Sequence, residues 1–178
     1  MHNKVLDFWF HEIDQAMWWK KDEKFDNEIR NRFLSLHNQA QQGELYLWRS
    51  SSRGALAEII ILDQFSRNMF RETPKAFESD MLALALSQSA IDKGFHEQLI
   101  KTERNFLFLP FMHSESKYIH EVALKLYTEL DEPLILDFEL KHKSIIDRFG
   151  RYPDRNKILG RQSTAQEIEF LKQPDSSF

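Results

Sequence analysis

Apolar residues recur at steps of three and four along almost the whole 178-residue chain, and that spacing commits it to packed helices. Phe25, Ile29, Phe33, Leu36 and Ala40 make one such stripe, with Asp22 in position to cap it and Gly43 where a left-handed residue would end it. After a turn over 50–54, the stretch 55–65 is apolar around nearly its whole circumference, which predicts a central, buried helix. Thr73-Pro74 interrupts the chain. A further helix is expected before Gly94, with Leu82, Ala85, Leu86, Ser89 and Ala90 on one face. The run 102–109 reaches Pro110, which should bend or break the rod at 111–113. Another helix resumes near 114–116 with Ser114 as its cap, carrying Ile119, Val122, Ala123, Leu126, Tyr127 and Leu130. The next presents Phe138, His142, Ile145, Ile146 and Phe149 on one face and ends at Gly150, and Thr164-x-x-Glu167 is a capping box ahead of the last. Strand alternation and domain-separating linkers are missing from the pattern. The expectation is one all-α domain over 1–178, an array of seven or eight packed helices.

Fifteen Phe, four Trp and four Tyr supply the core, since each buried aromatic removes about 150 to 250 Å² from water. A formal charge of −4 is too weak a field to make nucleic acid the expected partner. The charge is unevenly placed: 141–161 holds seven cations against two anions, so the rest of the chain carries −9. The absence of cysteine removes thiolate chemistry and disulfides and fits a cytoplasmic protein. No apolar run approaches the length of a signal-peptide core or a membrane span, so no membrane role is expected.

The five glycines form neither a P-loop nor a dinucleotide fingerprint, so no nucleotide-cofactor motif exists. Nor is there a nucleophile elbow. Three constellations remain. His113-Ser114-Glu115 follows Pro110, where side chains converge; His113 and Glu115 suit acid/base work, or an open metal site if His142 faces them. The competing reading is a helix cap. Arg148, Arg151, Arg155, Asn156 and Arg161 surround a Gly/Pro turn, where guanidinium groups clamp a phosphate or carboxylate, or else pair with structural carboxylates. Arg67 and Asn68 lie four residues beyond Asp63 and Gln64, the spacing of an ordinary helical ion pair, but on a helix that reads as buried all round.

Six ordered segments, 5–10, 43–45, 62–68, 109–115, 148–156 and 159–164, together resemble an uncharacterised, mainly bacterial family labelled domain of unknown function 924. The resemblance runs over nearly the whole chain. It implies an all-helical fold similar to tetratricopeptide arrays, which residue spacing alone does not show, and it implies no activity. The family tends to carry proline where Ser66 stands and histidine where Asp154 stands; the second departure removes an imidazole from the arginine segment.

Three functions compete at this level. A binding module would hold an anionic small molecule or peptide on Arg67, Asn68, Arg148, Arg151, Arg155, Asn156 and Arg161. A hydrolase or lyase for an anionic substrate would use His113 and Glu115, with or without a metal. A structural or oligomer-forming protein would satisfy every polar motif internally. Binding ranks first, because helical arrays build grooves and no complete catalytic set can be named.

Overall fold

The computed structural model describes residues 1–174 and 176, and among these the secondary structure is helical, without a strand. The chain divides into two compact units, one made of residues 1–71 and 75–110, the other of residues 72–74 and the chain from Phe111 onward. Among the described residues no helix is long and apolar enough to cross a membrane.

The first unit contains α1 (His2–Asp7), α2 (Glu23–Gln41), α3 (Ser52–Ile60), α4 (Ser66–Met69), α5 (Asp80–Asp92) and most of α6 (Lys101–Met112). Helix α2 begins as its sequence indicates: the Asp22 carboxylate accepts hydrogen bonds from the N–H groups of Lys24 and Phe25, two donors that a helix start leaves unpaired. The run after α3 does not stay α-helical. It widens into a π-helical turn over Ile61–Phe65 and tightens again as α4. A second π-helical turn, Phe8–Glu12, follows α1, and the two meet through their aromatic rings. Phe8 lies 5.0 Å from Phe33, Phe33 4.9 Å from Phe65, Phe65 5.4 Å from Trp9 and Trp9 5.7 Å from Phe106, between ring centres. This aromatic stack is the core of the unit, and α3 is buried all round beside it. At the start of α3 a Cβ on Gly54 would stand 2.1 Å from the Trp48 carbonyl oxygen, so only glycine lets the Tyr46–Ser50 turn close there.

One expected face is rotated. Helix α5 buries Ala83, Leu84, Ser87 and Ala90, and leaves Ala85 and Ser89 exposed. The small Ser87 side chain allows close approach, and its hydroxyl donates to the Leu107 carbonyl of α6. Helix α6 runs two residues past Pro110 and ends at Met112, within the stretch 111–113 where the proline is expected to bend or break the rod.

The second unit is built on the antiparallel pair α7 (Lys117–Leu130) and α8 (Pro133–Phe149), with the short α9 (Ala165–Phe170) beyond. The cap of α7 is Ser116, whose hydroxyl accepts from the Ile119 N–H, and not Ser114. Phe138 of α8 is 51% exposed and Glu139 takes the buried place beside it. Gly150 ends α8 in the left-handed conformation, and the predicted capping box opens α9.

Phe33 is 4% exposed and sits between Phe8 and Phe65. Phe33→Ala should therefore cost about 3 to 5 kcal/mol in urea denaturation; a cost below about 1 kcal/mol would place this stripe outside the core.

Candidate functional site

His120 of α7 stands in phase with Ala123, Tyr127 and Leu130, and Glu139 of α8 in phase with His142 and Ile146, so packing carries both polar side chains inside the second unit. Both are fully buried, and they meet with Nδ1 of His120 2.8 Å from Oε1 of Glu139. The other ring nitrogen, Nε2, lies 2.8 Å from the Ser114 carbonyl oxygen and 3.2 Å from the Tyr152 hydroxyl. Tyr152 donates that hydroxyl to the Met112 carbonyl at 2.5 Å. Burial pushes the Tyr152 phenol far above its ordinary range, so it stays a donor.

The turn between α6 and α7 is held over this buried array. Ser114 accepts the Ser116 N–H on its hydroxyl, and Glu115 accepts the Tyr152 N–H at 2.8 Å. Arg161 grips the same carboxylate with two nitrogens, at 2.5 and 2.9 Å, and adds bonds to the Tyr152 carbonyl and to Asn156. Asn156 in turn donates to Ser163. Burial pushes the Glu115 carboxyl up, but Arg161 and the Tyr152 N–H outweigh it and hold the group below its ordinary value. A carboxylate held this way is a poor proton acceptor, which weakens the acid/base role that its sequence position suggested.

The remaining arginines of the segment separate. Arg155 is buried with its guanidinium 4.4 Å from the centre of the Tyr152 ring. Beside it, burial raises the half-buried Asp154 carboxyl, partly offset by Arg155. Arg148 lies over the rings of Phe149 and Phe170. Arg151 is engaged bidentately by Glu167, at 2.6 and 2.8 Å, and also donates to the Gln162 carbonyl. The Arg151 hydrogen bonds lower the Glu167 carboxyl to about 2 despite its burial, so this pair contributes stability at neutral pH that is lost as pH falls through about 4.5 toward 2.

Arg67 and Asn68 belong to the first unit and to separate contacts. Arg67 binds both oxygens of Asp80, at 2.9 and 3.0 Å, with Asp63 farther at 3.5 Å. The i,i+4 pair of Asp63 and Arg67 expected from sequence is thus present, although Ile61–Phe65 winds as a π-helical turn, and Arg67 also donates to the Asp63 carbonyl. Asn68 donates to Asp26, which is also held bidentately by Arg71. Ser66 receives His37 Nε2 at 2.7 Å while donating to the Leu62 carbonyl, a pairing that proline at this position would not provide. A shallow recess in this unit, lined by Arg49, Glu58, Leu86, Ser89, Lys93 and Phe95, contains none of the sequence candidates.

Among the described residues no group of three or more His, Cys, Asp or Glu side chains is arranged to hold a metal ion. His113, Glu115 and His142 therefore do not form the open site considered from sequence. Glu115 is taken by Arg161 and Tyr152, and His142 places Nδ1 2.7 Å from the Phe138 carbonyl of its own helix. His113 remains half-buried at the end of α6.

A family model described as "Bacterial protein of unknown function (DUF924)" matches residues 5–175. The chain belongs to this family. The solved structure of a protein of unknown function from Agrobacterium tumefaciens is similar to it, with 35% identity, 96% of each chain covered and a TM-score of 0.91. No curated protein matches. The ordered motifs of this DUF924 chain thus resolve into two groups: Glu115, Tyr152, Asn156 and Arg161 assemble in the second unit, while Arg67 and Asn68 serve the first. The array beneath Glu115 was missed from sequence, although His120 and Glu139 each fall on a buried helical phase where an apolar residue would be expected.

Burial lowers His37 to about 4 and His142 to about 3, the Phe138 carbonyl opposing the second shift and His113, His120 and Arg155 adding to it. The unfolded chain takes these protons first, near the ordinary value of 6.5. Stability from the neutral imidazoles is therefore complete above about pH 6.5 and is lost as pH falls toward the folded values. His142→Gln should make the decline of urea midpoints between about pH 6.5 and about pH 4 shallower. An unchanged slope would contradict a neutral, buried His142.

Proposed function

We propose that the second unit is a binding module for a small anion or the carboxylate end of a peptide, taken up by Arg155 and Arg161 beside Tyr152. The observation that carries this reading is the convergence of two guanidinium groups on one residue: Arg155 on the face of the Tyr152 ring, Arg161 on its carbonyl. Arg161 is a quarter exposed, and Asn156, Glu115 and the Tyr152 carbonyl already fix the position of its guanidinium, so a ligand would share it with Glu115. Ordering before binding lowers the entropic cost of taking a ligand. Burying His120, Glu139, His142 and Arg155 around one tyrosine is an arrangement a helical core does not need for packing, and such clusters concentrate at functional sites. Arg67, Asn68 and Arg151 drop out of this site, since the first two lie in the other unit and the hydrogen bonds of the third run to Glu167 and Gln162, with none to Tyr152.

Sulfate should raise the melting temperature of the wild type saturably, by about 5 to 10 °C once it is about 100-fold above its Kd, beyond sodium chloride of matched ionic strength. Arg155→Gln should lose that response, and Arg155→Lys should keep part of it. Arg151→Gln should melt lower than wild type at every sulfate concentration but retain the response, because it loses the Glu167 pair and not the anion site. A wild type without a saturable sulfate effect would overturn the reading.

A further inference from the structure

The hydrogen count around His120 is fixed by its partners. The Ser114 carbonyl only accepts, and the Tyr152 hydroxyl has given its hydrogen to the Met112 carbonyl, so His120 Nε2 must carry hydrogen. The 2.8 Å contact between Nδ1 and Glu139 Oε1 needs a hydrogen as well, as an imidazolium facing a carboxylate or a neutral imidazole facing a carboxylic acid. Both states contain the same single shared proton. The other carboxyl oxygen, Oε2 of Glu139, is buried without a hydrogen-bond partner. His120 is thus the one donor hydrogen-bonded to that carboxyl among the described residues.

We infer that His120 and Glu139 are a proton-sharing dyad whose tautomer regulates the anion site: while the proton is shared, Nε2–H holds the Ser114 carbonyl, and when it is lost the remaining N–H moves to Nδ1 and lets that carbonyl go. The proton balance is complete. One proton leaves to solvent, the Glu139 carboxylate keeps a donor in Nδ1–H, and Nε2 becomes an acceptor. A bare Nε2 repels the Ser114 oxygen and attracts the Tyr152 hydroxyl, already 3.2 Å away, from the Met112 carbonyl. Two carbonyls flanking the turn that carries Glu115 are then released together. With them goes the geometry in which Glu115 and Arg161 are held.

The charged and titratable surroundings set where this happens. Lys143 and Asp147 on α8 act on Glu139 in opposite directions, and burial raises its carboxyl against the pull of His120 and Lys143. His142 on α8, His113 from the turn after α6, and Tyr152 and Arg155 from the segment after α8 complete the ring of groups around the dyad.

This inference rests on the anion site proposed above, and its test separates the two. Sulfate keeps its charge from about pH 6 to about pH 10, so its affinity is measured by calorimetry across that whole range. The wild type should lose about tenfold in affinity as pH rises. Glu139→Gln, whose amide N–H replaces the shared proton on Nδ1, should bind sulfate with constant affinity over that range. Nitrogen-15 shifts of the His120 ring in the wild type, without ligand, should pass from Nε2–H to Nδ1–H over the same interval. A Glu139→Gln protein that loses affinity as the wild type does, or a His120 ring that keeps one tautomer throughout, overturns the dyad. Sulfate that binds at no pH overturns the anion site alone, and the ring shifts then still decide the dyad.

Discussion

Everything that makes the second unit a candidate site passes through Tyr152. Its ring packs with Ile145 and Ile146 and takes Arg155 on its face, its hydroxyl ties down the Met112 carbonyl beside His120, its N–H holds Glu115, and its carbonyl holds Arg161. One residue thereby connects the end of α6, the interior of α7 and the segment after α8. A tyrosine suits this role because its body is apolar and its tip is a hydrogen-bond donor that burial keeps protonated. Phenylalanine would fill the same volume and leave the carbonyl of Met112 without its donor.

The arginine-rich segment shows how poorly a local charge count predicts a clamp. Seven cations lie between Lys141 and Arg161, yet Arg151 and Arg161 are bound by Glu167 and Glu115, carboxylates that lie outside the segment. The same holds in the first unit, where Arg67 and Arg71 are held bidentately by Asp80 and Asp26. Where the carboxylate is buried, as Glu167 is, such a pair is costly to break singly, because the carboxylate left behind is an unpaired charge away from water. These pairs fix the positions of neighbouring groups, and that is how Arg161 acquires a defined place beside Arg155 and Tyr152.

Helix starts and stops were legible because their chemistry is local: Asp22, the Thr164–Glu167 box and Gly150 act within one turn. Helix phase was less legible, because it is decided across the core. Ser87 faces inward to reach the Leu107 carbonyl, and Glu139 displaces Phe138 to reach His120. Of the candidate residues, Glu115, Arg155, Asn156 and Arg161 are gathered around Tyr152, a meeting of separate motifs that sequence order alone did not show. What the sequence could not show was which carboxylate claims which arginine, or that a buried histidine and glutamate nineteen positions apart support the turn between them and α6.

The central claim is that the Tyr152 hydroxyl holds the turn at 113–116 in place, and hydrogen–deuterium exchange of Tyr152→Phe tests it most directly. Loss of the hydroxyl alone should speed exchange across 112–116 and at residue 152, while the interiors of α7 and α8 keep their protection. Exchange identical to wild type in the turn, or a uniform rise through the whole unit, would contradict the account.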